Sequence, residues 1–452
     1  MIRKIINRVA IVFFFFGALL SQIYAQIEFS PTPLPIDTKL LSNFFHPRTQ
    51  PINLDISGYV KTDAFWDTRQ TVSYQETNIL LLPQKKTFDI YGDDVAAHGE
   101  YNIMPIETTV RIAFDIPEIN NIKISGAVEA NYWGQPSYTV DEQLIEPPNT
   151  SINLFLLQHG YLKLDWEDFS FLAGQTTHPI AYPWPNTVAF NVGMPIAPFS
   201  LSPQLRFTYH SPIGDFILCA NSELNWQTNG PGDYITEYIR NAILPNLHAH
   251  MRVNMNENNI FGFAADIKRI VPRLVTDNNV KANEHLWSGA VMAYFDLNFE
   301  PYSLIAKAIW AQNGVDYDLI GGYAVSSINP ITDQRTYTNF NTISFFIDSQ
   351  RAGTIEPGIY AGVLKNLGTT KNIIPSYTSP GGTTSLVYGF APNTDTAFRV
   401  SPRVRYHIEP VVLAAEVEYT RAAWGTLDNQ GKVIHTDPTS VVRFEFGFYL
   451  YF

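Results

Sequence analysis

The residues of this 452-residue chain best suited to chemistry stand two positions apart. Arg399, Arg403, Arg405 and His407 fall at even spacing, as do Glu416, Glu418 and Thr420. Arg443 with Glu445, Lys61 with Asp63 and Asp67, and His248 with His250 and Arg252 repeat the pattern. On an extended chain that spacing places side chains on one face. Two chemistries are open to such a face. The acids and bases can satisfy one another across strands as a salt-bridged lining. Alternatively, unpaired guanidinium groups can form an electrostatic ladder that draws anions through a narrow, low-dielectric space. Both hold if the acids anchor some bases and leave others free. His248-x-His250 also has chelating spacing, but no third Cys, His or carboxylate is evident beside it, so no metal and no cofactor is assigned. His159, His210, His248 and His250 are candidate bases, yet no Ser-bearing motif fixes a partner, and catalysis needs nucleophile, base and orienting group within hydrogen-bond reach. No catalytic residue is assigned.

The elements that must position these residues are strands. In the terminal run, Val442, Phe444, Phe446, Phe448, Leu450 and Phe452 form one face, while Arg443, Glu445, Gly447, Tyr449 and Tyr451 form the other. Period two means one apolar and one polar face. The apolar face is bulky and uninterrupted to the last residue, which suits contact with lipid. From Ile52 onward, segments of about ten residues repeat this alternation. Seven pairs are joined by short turns, at PEIN, Glu167-Asp168, Pro212-Ile213-Gly214, NENN, NFEP, the link before EPGIYAGVL, and Glu409-Pro410. With one strand at each end this makes about sixteen. Eight longer connections fall near 69–104, 135–152, 177–202, 228–245, 270–283, 315–337, 366–397 and 425–439. Hydrocarbon penalises every unpaired backbone group, so such a sheet must close. The expected fold is therefore all-β: one transmembrane antiparallel barrel over 52–452, with short periplasmic turns and long extracellular loops.

Composition agrees with export and with strands. Arg3, Lys4 and Arg8 precede an apolar run from Val9 to Leu20, and Ile23-Tyr24-Ala25 offers a small residue for cleavage. Residues 1–25 read as a Sec-type signal peptide. Residues 26–51 are Pro-rich and aperiodic, an extended periplasmic lead-in. The chain holds 24 Tyr and 30 Phe, and only 16% of its residues are charged, below the roughly 25% of a soluble domain. Removing the signal takes the net charge from −12 to −15, the wrong sign for a nucleic-acid partner. Cys219 is alone, which excludes an internal disulfide and a Cys-based metal site.

If the bulky parity meets lipid, the other parity lines the lumen. The lining set is Lys61, Asp63, Arg111, Arg206, His248, His250, Arg252, Arg399, Arg403, Arg405, Glu416, Glu418, Arg443 and Glu445. Ile106, Thr108, Val110, Ile112 and Phe114 are assigned outward. An Arg or Lys on the lipid face would cost about 2–4 kcal/mol near the midplane. Consistent parity across strands is thus the strongest signal. The 177–202 connection carries five prolines and several rings but few charges. Its plain reading is a stiff outer loop. Its aromatic content favours a loop folded into the pore, with Tyr182, Trp184, Asn186, Phe190 and Asn191 as constriction residues.

A sixteen-stranded barrel with an infolded third loop and a terminal Phe resembles the trimeric outer-membrane porins. More narrowly, GYVKTDAFWD at 58–67, LAGQT at 172–176 and PQLRFTYHSPIGDF at 203–216 are similar to the DcaP-type porins. The resemblance implies a homotrimer in the cell outer membrane, with lipid and the barrel-insertion machinery as partners and Phe452 as the insertion signal. It implies passive diffusion of small hydrophilic, often anionic solutes through a water-filled channel, with no enzymatic activity. One feature departs from the family: its N-terminal coiled coil has no counterpart in the short, Pro-rich 26–51. An outer-membrane barrel enzyme, phospholipase or protease, and a surface adhesin or receptor barrel are the other readings.

Overall fold

The computed structural model describes residues 52–74, 77–134, 154–223, 227–232, 236–379 and 382–452. The signal peptide, the lead-in and the whole of the second long connection, 135–152, lie outside them.

Alternation at Asn53–Asp67 (β1) is followed by β2 (Thr109–Ile119), β3 (Ile122–Gly134), β4 (Leu154–Trp166), β5 (Phe169–Thr177) and β6 (Leu201–Ser211). Next come β7 (Gly214–Asn221), β8 (Asn246–Asn254), β9 (Ile260–Ile270), β10 (Leu286–Phe299) and β11 (Tyr302–Gln312). The wall is completed by β12 (Arg335–Arg351), β13 (Ile355–Thr369), β14 (Thr394–Ile408), β15 (Val411–Leu427) and β16 (Val433–Tyr451). Each strand pairs antiparallel with its sequence neighbour, and β16 pairs with β1, so sixteen strands close a barrel. The seam ends on the last residue. Phe452 N–H donates to Gly58 O at 3.1 Å, and Gly58 N–H donates to Phe452 O at 3.0 Å. Gly58 permits this approach, because a Cβ there would sit 2.3 Å from Thr109 O and 2.9 Å from the Phe452 ring.

The two faces separate as lipid and lumen require. Phe444, Phe446 and Phe448 are about half exposed on the outside, while Arg443 and Glu445 between them are buried within. Antiparallel register carries this parity across strands: Arg403 lies opposite Glu416, Glu418 opposite Arg443, and Asp63 opposite Gly447.

Two expectations change. Alternation predicts Ile106 on the lipid face, but it is buried inside the barrel. Pro105 lacks an N–H, and Thr108 N–H turns back to Pro105 O at 3.1 Å. The chain therefore bulges between Glu100–Met104, which also pairs with β1, and β2, and the parity shifts. The eighth connection was expected to be long, over 425–439. Instead β15 runs to Leu427 and β16 begins at Val433. Asp428 closes the turn by accepting from Gln430 N–H at 2.8 Å and Lys432 N–H at 2.9 Å, and Gly431 takes φ +64°. Thr426, Val433 and Ile434 favour strand, so the ladder continues above the apolar band.

The lumen is substantially filled by the chain itself. Ile79–Pro83 from the first connection, 178–200 from the third and 314–320 from the sixth are largely buried inside the wall. Ile79, Leu81, Leu82, Trp133, Ile180, Met194, Ile196 and Leu319 share one apolar cluster with inward wall residues such as Phe65 and Phe346.

Candidate functional site

The inward charges hold these inner segments. Arg399 donates from Nε to Thr420 Oγ1 at 2.8 Å, from Nη1 to Met194 O at 2.6 Å, and from Nη2 to Leu80 O and Leu81 O, each at 3.0 Å. Its ion pair is with Glu418 at 3.2 Å. Arg443 grips Asp67 with two bonds, at 2.8 and 2.6 Å, and donates to Asn78 O and Thr77 O. Arg403 makes a bidentate pair with Asp348, both bonds 2.8 Å. Arg405 pairs with Glu356 at 3.0 Å and donates to Asn186 O and Thr187 O. Glu416 accepts from Val188 N–H at 2.6 Å, and Glu418 accepts from Asn191 Nδ2 at 2.7 Å. Lys61 donates to Val188 O at 2.8 Å and contacts both Asp63 and Glu107. Arg111 pairs with Glu129 at 2.9 Å. Glu445 lies 4.0 Å from Arg443. Two strands of guanidinium groups thus meet carboxylates and loop carbonyls, in the manner of a salt-bridged lining.

The sequence reading missed Lys307. It is the one charge in β11, an otherwise apolar run with Ile305, Ile309 and Trp310 around it. Its buried ammonium donates to the carbonyls of Ile180 at 2.6 Å, Ala181 at 2.9 Å, Tyr182 at 3.1 Å and Pro183 at 3.4 Å. A lone charge in an apolar strand was the available signal. Ile79–Pro83 was missed too. Four consecutive apolar residues in a connection are poor chemistry for an outer loop, the same argument that singled out 177–202.

Between the third connection and the wall lies a cavity of about 470 Å³. Tyr182, Trp184 and Phe190 line it from the loop, and Arg206, His250 and Arg252 from β6 and β8. Trp133 packs edge-on to Phe190 with ring centroids 5.8 Å apart. Tyr182 donates to Asp296 Oδ2 at 2.7 Å, and the Arg252 guanidinium sits 4.7 Å from the Tyr182 ring centroid. Burial pushes the Tyr182 hydroxyl up to about 12, so it stays a donor. Asn186 and Asn191 lie apart from this cavity: Asn186 donates to Gln350, and Asn191 to Leu80 O and Glu418.

Arg206 differs from the other inward arginines. It donates to Gln204 Oε1 and to Thr177 O at 2.8 Å, and has no carboxylate partner among the described residues. Arg252 has one carboxylate partner among the described residues, Asp215 at 3.5 Å; its Nη2 also donates to Tyr182 OH at 3.5 Å, and its Nε is buried without a hydrogen bond among them. Arg206 therefore brings to the cavity a positive charge that no carboxylate pairs among the described residues.

His248 finds partners invisible in sequence: His178 and Asp266 come close enough for three ligand atoms to lie within 4.8 Å of one another. The hydrogen bonding works against a metal. Ile180 N–H donates to His178 Nδ1 at 3.0 Å, which commits that lone pair. Burial pushes the His178 imidazole down to about 3, so the ring is neutral and Nε2 carries its proton. A ligating His instead donates its second N–H outward. Asp266 is thus a buried carboxylate that accepts from His248 Nδ1 at 3.2 Å and Tyr317 OH at 2.5 Å, with His178 Nε2 just beyond hydrogen-bond reach at 3.6 Å. His250 Nε2 pairs with Tyr294 OH at 2.9 Å.

His210, another candidate base, lies 2.6 Å from Ser170 Oγ through Nε2 and 2.8 Å from Asp215 Oδ1 through Nδ1. Ser170 donates its one proton to Asp165 Oδ1 at 2.6 Å.

No protein-family model matches this sequence, and no curated protein matches it. Solved structures do. The outer membrane channel DcaP of Acinetobacter baumannii is 15% identical, with a TM-score of 0.61 over 89% of this chain and 97% of that one. The outer-membrane expressed OmpT of Vibrio cholerae is 9% identical, with a TM-score of 0.51 over 90% of this chain and 99% of that one. At these identities the likeness is one of fold: this chain has the barrel of the outer-membrane channels.

Proposed function

We propose that this chain is a channel of the Gram-negative cell outer membrane, through which small hydrophilic solutes, anions above all, diffuse passively. The observation that carries this reading is the cavity beside Arg206 and Arg252, inside a closed barrel whose outer face is apolar. A solute passing there meets two guanidinium groups from the wall and Tyr182, Trp184 and Phe190 from the third connection. The third connection acts as the constriction, and the charges around Arg399, Arg403 and Arg443 keep it and Ile79–Pro83 in place. Passive diffusion calls for no cofactor and no catalytic group. Export through residues 1–25, a periplasmic lead-in over 26–51, insertion guided by Phe452, and assembly as a homotrimer complete the reading. The fold shared with the outer membrane channel DcaP supports it.

Swelling of proteoliposomes tests it. Small monoanions should enter faster than neutral solutes of equal size, and cations slowest. No swelling above protein-free liposomes refutes the channel reading.

The Ser170–His210–Asp215 alignment favours a second reading, a barrel hydrolase. Its nucleophile is buried, and the Ser170 proton is committed to Asp165. Labelling of Ser170 by a fluorophosphonate would support that reading; no labelling refutes it.

A further inference from the structure

The outer surface carries a groove that the channel reading does not use. It measures about 610 Å³ and lies at the long-loop end, between the fourth connection and the outward side of β5–β7. Its floor includes Leu205 and Ala220, which register pairs on the outward face, and Gly174. The register extends that row through Ala173 to one side and Leu247 to the other. The two alanines leave a hollow in a face otherwise built from Leu, Phe and Ile. Ile243 and Leu244 overhang it from the end of a short helix, Glu237–Arg240.

Three observations say what fills the hollow. Ile243 is 86% exposed and takes φ +64°, a conformation that a β-branched residue adopts only under strain. The strain presents an apolar side chain to the outside, where water would not favour it. Arg240 stands at the mouth, exposed, and its guanidinium makes no hydrogen bond or ion pair among the described residues. Its helical neighbour Glu237 accepts instead from Asn241 at 3.3 Å. Finally, the floor is continuous with the outward apolar face that the barrel presents to lipid.

We propose that this groove holds an acyl chain of an anionic lipid in the outer leaflet, with the headgroup anion at Arg240 and the chain between Ile243–Leu244 and Ala220. Arg–phosphate pairing supplies geometry as well as charge, and a bulky overhang above small residues fits a methylene chain. The proposal rests on the outward face meeting lipid, as the channel reading requires.

The test uses the full mature chain in phosphatidylcholine vesicles containing a minor fraction of phosphatidylglycerol with a photoactivatable diazirine on one acyl chain. Adducts are mapped by mass spectrometry. Residues 203–205 and 239–245 should be labelled at least five-fold above the outward residues of β13, such as Ile359 and Val363. Ala220→Trp, which fills the hollow from the outside, should remove that excess and leave β13 labelling unchanged. Arg240→Gln should remove the preference for diazirine-phosphatidylglycerol over diazirine-phosphatidylcholine. Uniform labelling around the wall, or an excess that survives Ala220→Trp, overturns the lipid groove while leaving the barrel in the membrane. Links from Ile243 or Leu244 to a second copy of the chain overturn it in favour of a protein interface. Absence of label on every outward strand overturns the membrane placement itself.

Discussion

Lys307→Met is the sharpest perturbation of the inner architecture. It keeps most of the apolar stem of the side chain and removes the ammonium with its three donors. The ammonium has three protons, shared among four carbonyls of residues 180–183, with the shortest contacts 2.6 and 2.9 Å. Hydrogen bonds to a charged group contribute about 1.5–3 kcal/mol each. Two good ones give roughly 3–6 kcal/mol, offset by several kcal/mol of desolvation for a buried ammonium without a carboxylate. The net loss of inward anchoring is therefore up to about 3 kcal/mol, which raises the population with the third connection displaced by up to about 150-fold. Single-channel recording reads this directly. The variant should show a larger mean conductance, added open-state noise, and protease cleavage within 178–200 that the parent resists. A variant with the parent's conductance, noise and protease resistance refutes the idea that Lys307 pins the constriction.

Other perturbations separate the roles of the inward charges. Arg206→Gln with Arg252→Gln should lower the anion-to-cation permeability ratio at least ten-fold, since one charge about 8 Å from a permeating ion contributes roughly 2 kcal/mol at an effective dielectric of 20; an unchanged reversal potential in a salt gradient contradicts this. Arg403→Gln leaves Asp348 buried and unpaired, so it should destabilise the barrel by about 3–5 kcal/mol, read as a lower midpoint in heat-modified gel migration; full stability would show the pair to be dispensable. On the outer first connection, the hydrogen bond from Arg69 at 2.8 Å holds the Asp94 carboxyl below its ordinary value. A depressed acid pKa stabilises above the unfolded value near 3.8 and is lost as pH falls through the folded one. Protease protection of 84–98 should thus hold from pH 7 to about 4 and fail below it, whereas failure between pH 7 and 5 would refute that origin.

The wall was legible in the sequence because hydrocarbon leaves little choice. A one-residue slip would turn Arg443 and Glu445 into lipid and Phe444 and Phe446 into the lumen, so alternation fixed both register and facing. Parity could not reveal the Pro105 bulge, where a missing N–H interrupts the ladder and carries Ile106 inside. Nor could it show which charges are spent on structure. Arg399 reaches Leu80 and Arg443 reaches Asn78 across more than 300 residues of sequence. Those contacts depend on where three connections fold after the barrel closes. Aromatic and apolar content signalled infolding for 177–202 and, unrecognised, for Ile79–Pro83. Arg206, which bonds only neutral oxygens among the described residues, stands out only once its neighbours have found carboxylates.

The account's central claim is a conducting pore that favours anions. Planar-bilayer recording of the purified, folded chain in a potassium chloride gradient tests it most directly. Stepwise insertions with ohmic open-channel current, and a reversal potential of the sign set by chloride, are the predicted result. Folded protein that inserts without current, or a reversal potential set by potassium, would contradict it.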